Sequence, residues 1–513
     1  MEPLSEDAVG RRVSCREERA TVRYVGPVPP TKGVWLGVEW DDPERGKHDG
    51  VHEGVQYFTC SVPGAGSFVR PFKVSFGLDF LSVVHQVYHV DRDEELSEEI
   101  SLSSRQWDHL SLENRSSIIL NGFEVNGAGE DGAIRKTTPN VRWLDLSSTL
   151  IGGWEDVAAI TEQMEALEGL QLSLNRLQLT SDLTSDPARL AKAFLHLTTL
   201  VLNECALCWT QVVQCAPMWP KLEVLGLEGN KIRSMSPPGS DLFQTLKTLN
   251  LSRNPLEQDS VLALSSLPRL KQLDLSETGL TSVHFSDAGP GEETGMFPAL
   301  KSLNLKHNHV SEWRVVDELD KLRSLVQLSC RENPLKAPDG KHKTRTQLLI
   351  AKLRRVQQLD NSQVGPDERK GAEQDYVKLF GEAWLAAGGR SQLSPDFIAD
   401  HPRYQDLIRK YGAPEEGSMK KPEPFALKNQ LIKICFEFPE DPERSSFEKR
   451  LPVSMEVQKV KGLLQRLLKV PATELSLSYT SPKGDTEFQL DKDLKSLKFH
   501  SIEDGDTVLV RWS

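Results

Sequence analysis

The chain has 513 residues, 38% of them hydrophobic and 27% charged, with a formal net charge of −12. That composition suits several soluble globular domains of roughly 100–200 residues each and not a disordered chain. No long basic block offers a footprint for nucleic acid. No apolar run approaches the roughly 18–20 residues of a membrane helix.

The opening residues, MEPLSEDAVGRR, are acidic and lack the apolar centre of a signal peptide. Seven cysteines, an odd number without a regular framework, fit a reducing compartment. A cytoplasmic protein is expected. Residues 8–80 hold short strand-like runs, RATVRYVG and GVWLGVEW, separated by turn residues. They predict a small, twisted all-β domain. Residues 86–104, acidic and Ser-rich, read as a linker.

From 105 to 360 the chain repeats. The pattern L-x-x-L-x-L-x-x-N-x-L begins at Val141, Leu167, Leu197, Leu222, Leu246, Leu270, Leu300 and Leu325. A degenerate leader, WDHLSLENR, starts at Trp107. The starts lie 24 to 30 residues apart, the period of leucine-rich repeats. One repeat cannot bury its leucines alone, so neighbours must stack into a solenoid. Asn175, Asn230, Asn254, Asn308 and Asn333 fall where the chain leaves each strand. Their amides are placed to bond unpaired backbone groups of the turns. Thr149, Cys205 and Thr278 take that place elsewhere, as weaker partners.

Residues 361–412 read as a helical cap on the repeats, with Ser394-Pro395-Asp396 as a helix start. Residues 413–427 are a Pro- and charge-rich linker. Residues 428–513 alternate strand, helix, strands, as in a small α+β domain.

The front segment carries WLGVEWDDPERGKHDGVHEGVQYF and GSFVRP. It resembles a CAP-Gly domain, a tubulin- and microtubule-binding module. The family's usual core is Gly-Lys-Asn-Asp-Gly, and here His48 replaces the Asn. The resemblance implies a site for acidic tails ending in an aromatic residue, as on α-tubulin. By the same resemblance Trp35, Trp40 and Phe58 line an apolar groove. Lys47, His48 and Gly50 meet the tail, and Gly66, Ser67, Phe68 and Arg70 close the far side. The residue types agree. Glycines let backbone approach a ligand, and backbone N–H groups can capture a carboxylate. Lys47 and Arg70 can pair with glutamates, and aromatics can stack on a terminal ring. Trp35 and Trp40 have core packing as an alternative role. His48 brings a titratable ring.

The final domain, with LKSLKFHSIEDGDTVLV, resembles the ubiquitin-like β-grasp family. Its end, VRWS, lacks the Gly-Gly needed for conjugation. It reads as a docking surface, with proteasome or ubiquitin-pathway proteins as possible partners. The fold class is therefore multidomain: a CAP-Gly barrel, an α/β leucine-rich-repeat solenoid and an α+β ubiquitin-like domain. That order closely resembles the tubulin-folding cofactors. The resemblance implies a cytoplasmic, cytoskeleton-associated chaperone that captures α-tubulin. It also implies joint action with other folding cofactors in assembling and dissociating the α/β dimer.

Signals for chemistry are weak. Gly46-Lys47 lacks the earlier Gly and the Ser/Thr of a phosphate loop. Cys205-Ala-Leu-Cys208 has no second pair for zinc. No Gly-x-Ser-x-Gly or His-Glu-x-x-His is present. The expectation is a binding protein with no catalytic residues, metal or cofactor. The front loop would hold the tail and the outward strand positions of the repeats the tubulin body, among them Trp143, Glu228, Asp274, Lys306 and Arg331. The alternatives are a microtubule-end linker and an adaptor for the ubiquitin–proteasome system. Net charge −12 and the lack of basic flanks weigh against the first. The second rests on the last domain alone.

Overall fold

The computed structural model describes residues 8–95, 112–180, 182, 185–414, 431–441, 443–481 and 484–512, without the side chains of 89–95 and 484–486. Two compact units form. One is Met1–Ala288 with Glu293–Ser311 and Lys321–Pro334, and the other is Gly289–Glu292 with Glu312–Asp320 and Leu335–Ser513.

The first unit begins with β1 (Arg12–Cys15), β2 (Glu18–Pro27), β3 (Val34–Trp40), a hairpin of β4 (Val51–His52) and β5 (Val55–Gln56), and β6 (Gly66–Val69). The antiparallel sheet runs β1-β2-β3-β6. Successive residues of a strand face opposite sides. In β3, Leu36, Val38 and Trp40 pack on Val13, Ala20 and Val22. The alternate residues, Gly37 and Glu39, face the other way. Buried Arg12 bonds Asp41 at 2.6 Å and Thr21 at 2.9 Å, so its charge is paired where it is desolvated.

Helix α1 (Phe80–Glu95) corrects the expected linker, whose residues 86–95 belong to it. The remainder of that stretch, 96–104, lies outside the described residues, as does most of 413–427. The strand Leu78–Asp79 pairs with Val125–Gly127, and Arg19 donates to Gly122 O at 2.6 Å. These contacts tie the barrel to the start of the repeats.

The repeats form parallel three-residue strands beginning at Ser117, Trp143, Gly169, Thr199, Val224, Thr248, Gln272, Ser302 and Gln327. Leu144, Leu170, Leu200, Leu225, Leu249, Leu273, Leu303 and Leu328 are in register and buried. Residues 107–111 of the leader lie outside the described residues, and the first described strand of the repeats is Ser117–Ile119. Ile118 and Leu120 are fully buried, but Arg115 stands where the motif has its first Leu.

The asparagine ladder is complete in its described members. Asn254 Nδ2 donates to Leu227 O and Leu251 O, both at 2.9 Å, and its Oδ1 accepts from Ile232 N–H at 3.2 Å. Asn175, Asn230, Asn308 and Asn333 repeat the arrangement. Thr149 and Thr278 each keep a hydroxyl bond to the carbonyl three residues back.

In the second unit, His342–Lys352, Pro366–Leu379, Pro395–Asp400 and Tyr404–Tyr411 are helical. Residues 335–352, expected in the repeat domain, thus fall with the cap. Beyond Pro334 the chain turns into helix His342–Lys352, which packs on Pro366–Leu379. Lys352 and Asp317 form a buried pair at 2.8 Å. Ser394 caps its helix, its hydroxyl accepting from Phe397 N–H at 3.3 Å. The last domain is a mixed sheet of Phe447–Pro452, Leu431–Glu437, Thr507–Trp512, Leu475–Ser481 and Gly484–Gln489, in that order. It is crossed by helix Val457–Leu468, whose Val457, Val460 and Leu464 enter the core with Ile434 and Phe436.

Candidate functional site

The face of β3 opposite the core carries an aromatic cluster. Phe68, half-buried on β6, is its hub. Its ring centroid lies 5.1 Å from His48, 5.4 Å from Phe58, 5.5 Å from Tyr57, 6.2 Å from His52 and 6.4 Å from Tyr24. The edge-to-face geometries are the favoured ones for aromatic pairs. Phe58 is 7% exposed and forms the floor. Gly37 lies beneath it: a Cβ there would come within 2.4 Å of the Phe58 ring.

The Gly46–Gly50 loop is held against β6 by backbone. Lys47 N–H donates to Gly66 O at 2.7 Å, and Gly66 N–H donates to His48 O at 2.8 Å. A Cβ on Gly46 would meet Gly64 O at 1.9 Å. Gly50, at φ +87°, would meet Phe58 O at 2.1 Å. Both positions require glycine. Asp49 accepts the Gly64 N–H, and Gln56 donates to Asp49 O at 2.8 Å. Glu39 anchors the following loop, accepting from Ser61 N–H at 2.6 Å and Arg23 Nε at 2.8 Å.

His48 is half-buried, and its Nδ1 accepts the Gly50 N–H at 3.0 Å. In the neutral ring the proton therefore sits on Nε2, which remains a donor. Burial, then His52, push its pKa below the ordinary 6.5, against the opposing pull of Asp49. Lys47 is exposed, and its ammonium has no ion-pair partner among the described residues. Arg70 is more committed. Its guanidinium stacks 3.8 Å over Trp35 and donates to Lys32 O at 2.9 Å and Val34 O at 3.2 Å. Trp35 donates its indole N–H to Thr31 at 2.7 Å.

Lys47, His48, Gly50, Phe58 and Phe68 thus come together, with Trp35 and Arg70 as a neighbouring stack. Two expected members do not join them. Trp40 is 5% exposed on the core side of β3, under Arg45 at 4.1 Å, because residue 40 shares the face of Leu36 and Val38. Ser67 is buried on the side of β6 opposite Phe68. Tyr24, His52 and Tyr57 belong to the cluster and were not anticipated. A register shift between Val22 and Tyr24 re-aims Tyr24 opposite Gly37.

The residues expected on the repeat face are spread out. Trp143 lies flat over Gly169, where a Cβ would be 2.1 Å from its ring. Glu228 shares Arg253 with Glu204, at 3.3 and 3.4 Å. Asp274 accepts from Asn304 at 2.8 Å and from the Ser276 hydroxyl at 2.6 Å. Lys306 is half-buried and Arg331 exposed. Trp143 and Arg331 stand seven strands apart, roughly 34 Å at about 4.8 Å per strand. Together they define a long surface and not one site.

The CAP-Gly domain family model matches residues 9–74, and the ubiquitin-like domain family model matches residues 440–511. Over 525 residues the chain is 52% identical to tubulin-specific chaperone E of Danio rerio, covering 99% of this chain and 100% of the relative. It is 44% identical over 529 residues to the Homo sapiens protein of that name, covering 99% of each. The solution structure of the C-terminal ubiquitin-like domain of mouse tubulin-specific chaperone e is 55% identical, covering 16% of this chain and 88% of that one, at a TM-score of 0.16.

Proposed function

The chain belongs to the tubulin-specific chaperone E family, and on that premise we propose that it is a cytoplasmic, non-enzymatic tubulin-folding chaperone that captures α-tubulin at two points. The aromatic groove holds the acidic C-terminal tail, and the strand face of the repeats holds the folded body. The full-length identity carries the chaperone reading. The groove supports tail capture. Phe68 and Tyr57 offer half-buried ring faces to a terminal aromatic side chain. Lys47 is an available cation for a glutamate. His48 Nε2 is a free donor directed by the Gly50 bond to the other nitrogen.

Capture and exchange follow from differential affinity. A ligand shifts the α/β equilibrium only by preferring one state. Separation of the dimer therefore requires tighter binding to free α-tubulin than to the dimer. The test mixes the purified chain with soluble tubulin dimers, with and without the other folding cofactors, and resolves the products by size-exclusion chromatography with subunit identification. A complex holding α-tubulin without equimolar β-tubulin is expected. Intact dimer riding with the chain, or binding only to polymer, overturns the proposal.

A further inference from the structure

A cationic stripe runs along the edge of the repeat sheet, apart from the groove. Lys247, Lys271 and Lys301 each stand immediately before a strand, those starting at Thr248, Gln272 and Ser302. Their backbones are bonded rung to rung. Lys271 N–H donates to Lys247 O at 2.8 Å, and Lys301 N–H donates to Lys271 O at 2.8 Å. The ladder therefore fixes these lysines in adjacent rows, about 4.8 Å apart. Lys247 pairs with Glu223 at 2.7 Å. Lys271, Lys301 and the adjacent Arg269 are exposed and have no carboxylate partner among the described residues.

Like charges in adjacent rows repel, and nothing within the stripe offsets that repulsion beyond Glu223. The chain as a whole carries −12, so the stripe is a local exception and not a general surface property. We infer that the Lys247–Lys271–Lys301 stripe, with Arg269, docks an extended acidic protein segment. Rows at this spacing suit a Glu-rich strand crossing them. Alternate side chains of such a strand lie about 6.6 Å apart on one face, within reach of flexible lysines. The flanking Thr248, Gln272 and Ser302 add polar groups to the same edge. No aromatic side chain stands among these positions to stack a base, which favours peptide over single-stranded nucleic acid.

The site is distinct from tail capture in the groove, and its test is built to fail separately. The probes are an amidated oligo-glutamate peptide, which lacks a terminal carboxylate and aromatic ring, and a peptide ending Glu-Glu-Tyr. Binding to the full chain is read by fluorescence anisotropy at low and physiological salt. In Lys271→Glu/Lys301→Glu, oligo-glutamate affinity is expected to fall about two- to thirtyfold, the worth of two exposed pairs. Its salt dependence should flatten, while Glu-Glu-Tyr binding holds. Equal loss for both peptides, no loss, or no oligo-glutamate binding by the native chain overturns the inference. So does tighter binding of a single-stranded oligonucleotide through the same lysines.

Discussion

At the scale of single residues, His48 sets two opposite pH dependences. Its folded-state pKa lies below 6.5, burial and His52 being the leading causes. A depressed histidine contributes stability that is present above the unfolded value, about 6.5, and lost as pH falls through the folded one. An acidic tail acts in reverse, because its carboxylates favour the charged ring. On the proposed tail contact, binding takes up a proton, and affinity rises as pH falls into the range where the ring charges. In His48→Asn the acid-side rise in affinity should be lost and acid stability improved, measured by peptide titration and thermal melts across that range. Unchanged profiles in the variant would remove His48 from the contact. Much of this site was legible in the sequence. The glycines, Lys47, His48, Phe58 and Phe68 meet because the motif is local. Trp40 was not, because an aromatic in a strand shows its face only once register is known. Tyr24 depends on a bulge that no residue type announces.

At the scale of elements, the asparagine ladder makes each turn depend on the next repeat. Asn254→Ala strands one buried carbonyl, Leu251 O, and the Ile232 N–H, while Leu227 O keeps its bond from Asn230 at 2.9 Å. Leaving such groups unsatisfied costs about 1–3 kcal/mol. Asn254→Thr should cost less, because a hydroxyl can still reach the carbonyl three residues back, as Thr278 does at 2.7 Å. Hydrogen-exchange protection across the strands Val224–Gly226 and Thr248–Asn250 measures both. Equal protection in native and alanine chains would mean that water replaces the amide at no cost. The ladder could be read ahead of the structure because its period and its residue type recur together. The first strand could not, since Arg115 breaks the leucine pattern even though Ile118 and Leu120 complete the core. Helix α1 was hidden in part by its acidic end. Its front half places buried Phe80, Val83 and Val84 at helical spacing.

For the whole molecule, the attachment of the groove decides how two contacts combine. The barrel does not hang from a free linker in the described residues. Leu78–Asp79 pairs with Val125–Gly127, Asn126 donates to Phe76 O at 2.9 Å, and Ser75 donates to Glu124 at 2.5 Å. On the proposed two-point capture, the tail would be held on a barrel tied to the first repeats. The second contact would then be intramolecular, and linked contacts of this kind gain about 10²–10⁴ in affinity when geometry permits both. Tubulin stripped of its C-terminal tails should then bind at least about 100-fold more weakly than intact tubulin, with most of the change in dissociation rate. Phe68→Ala should reproduce that loss on intact tubulin and add little on the stripped form. Such non-additivity marks one shared contact. Equal affinities for stripped and intact tubulin would leave the repeats as the sole capture surface and the groove free for another acidic tail.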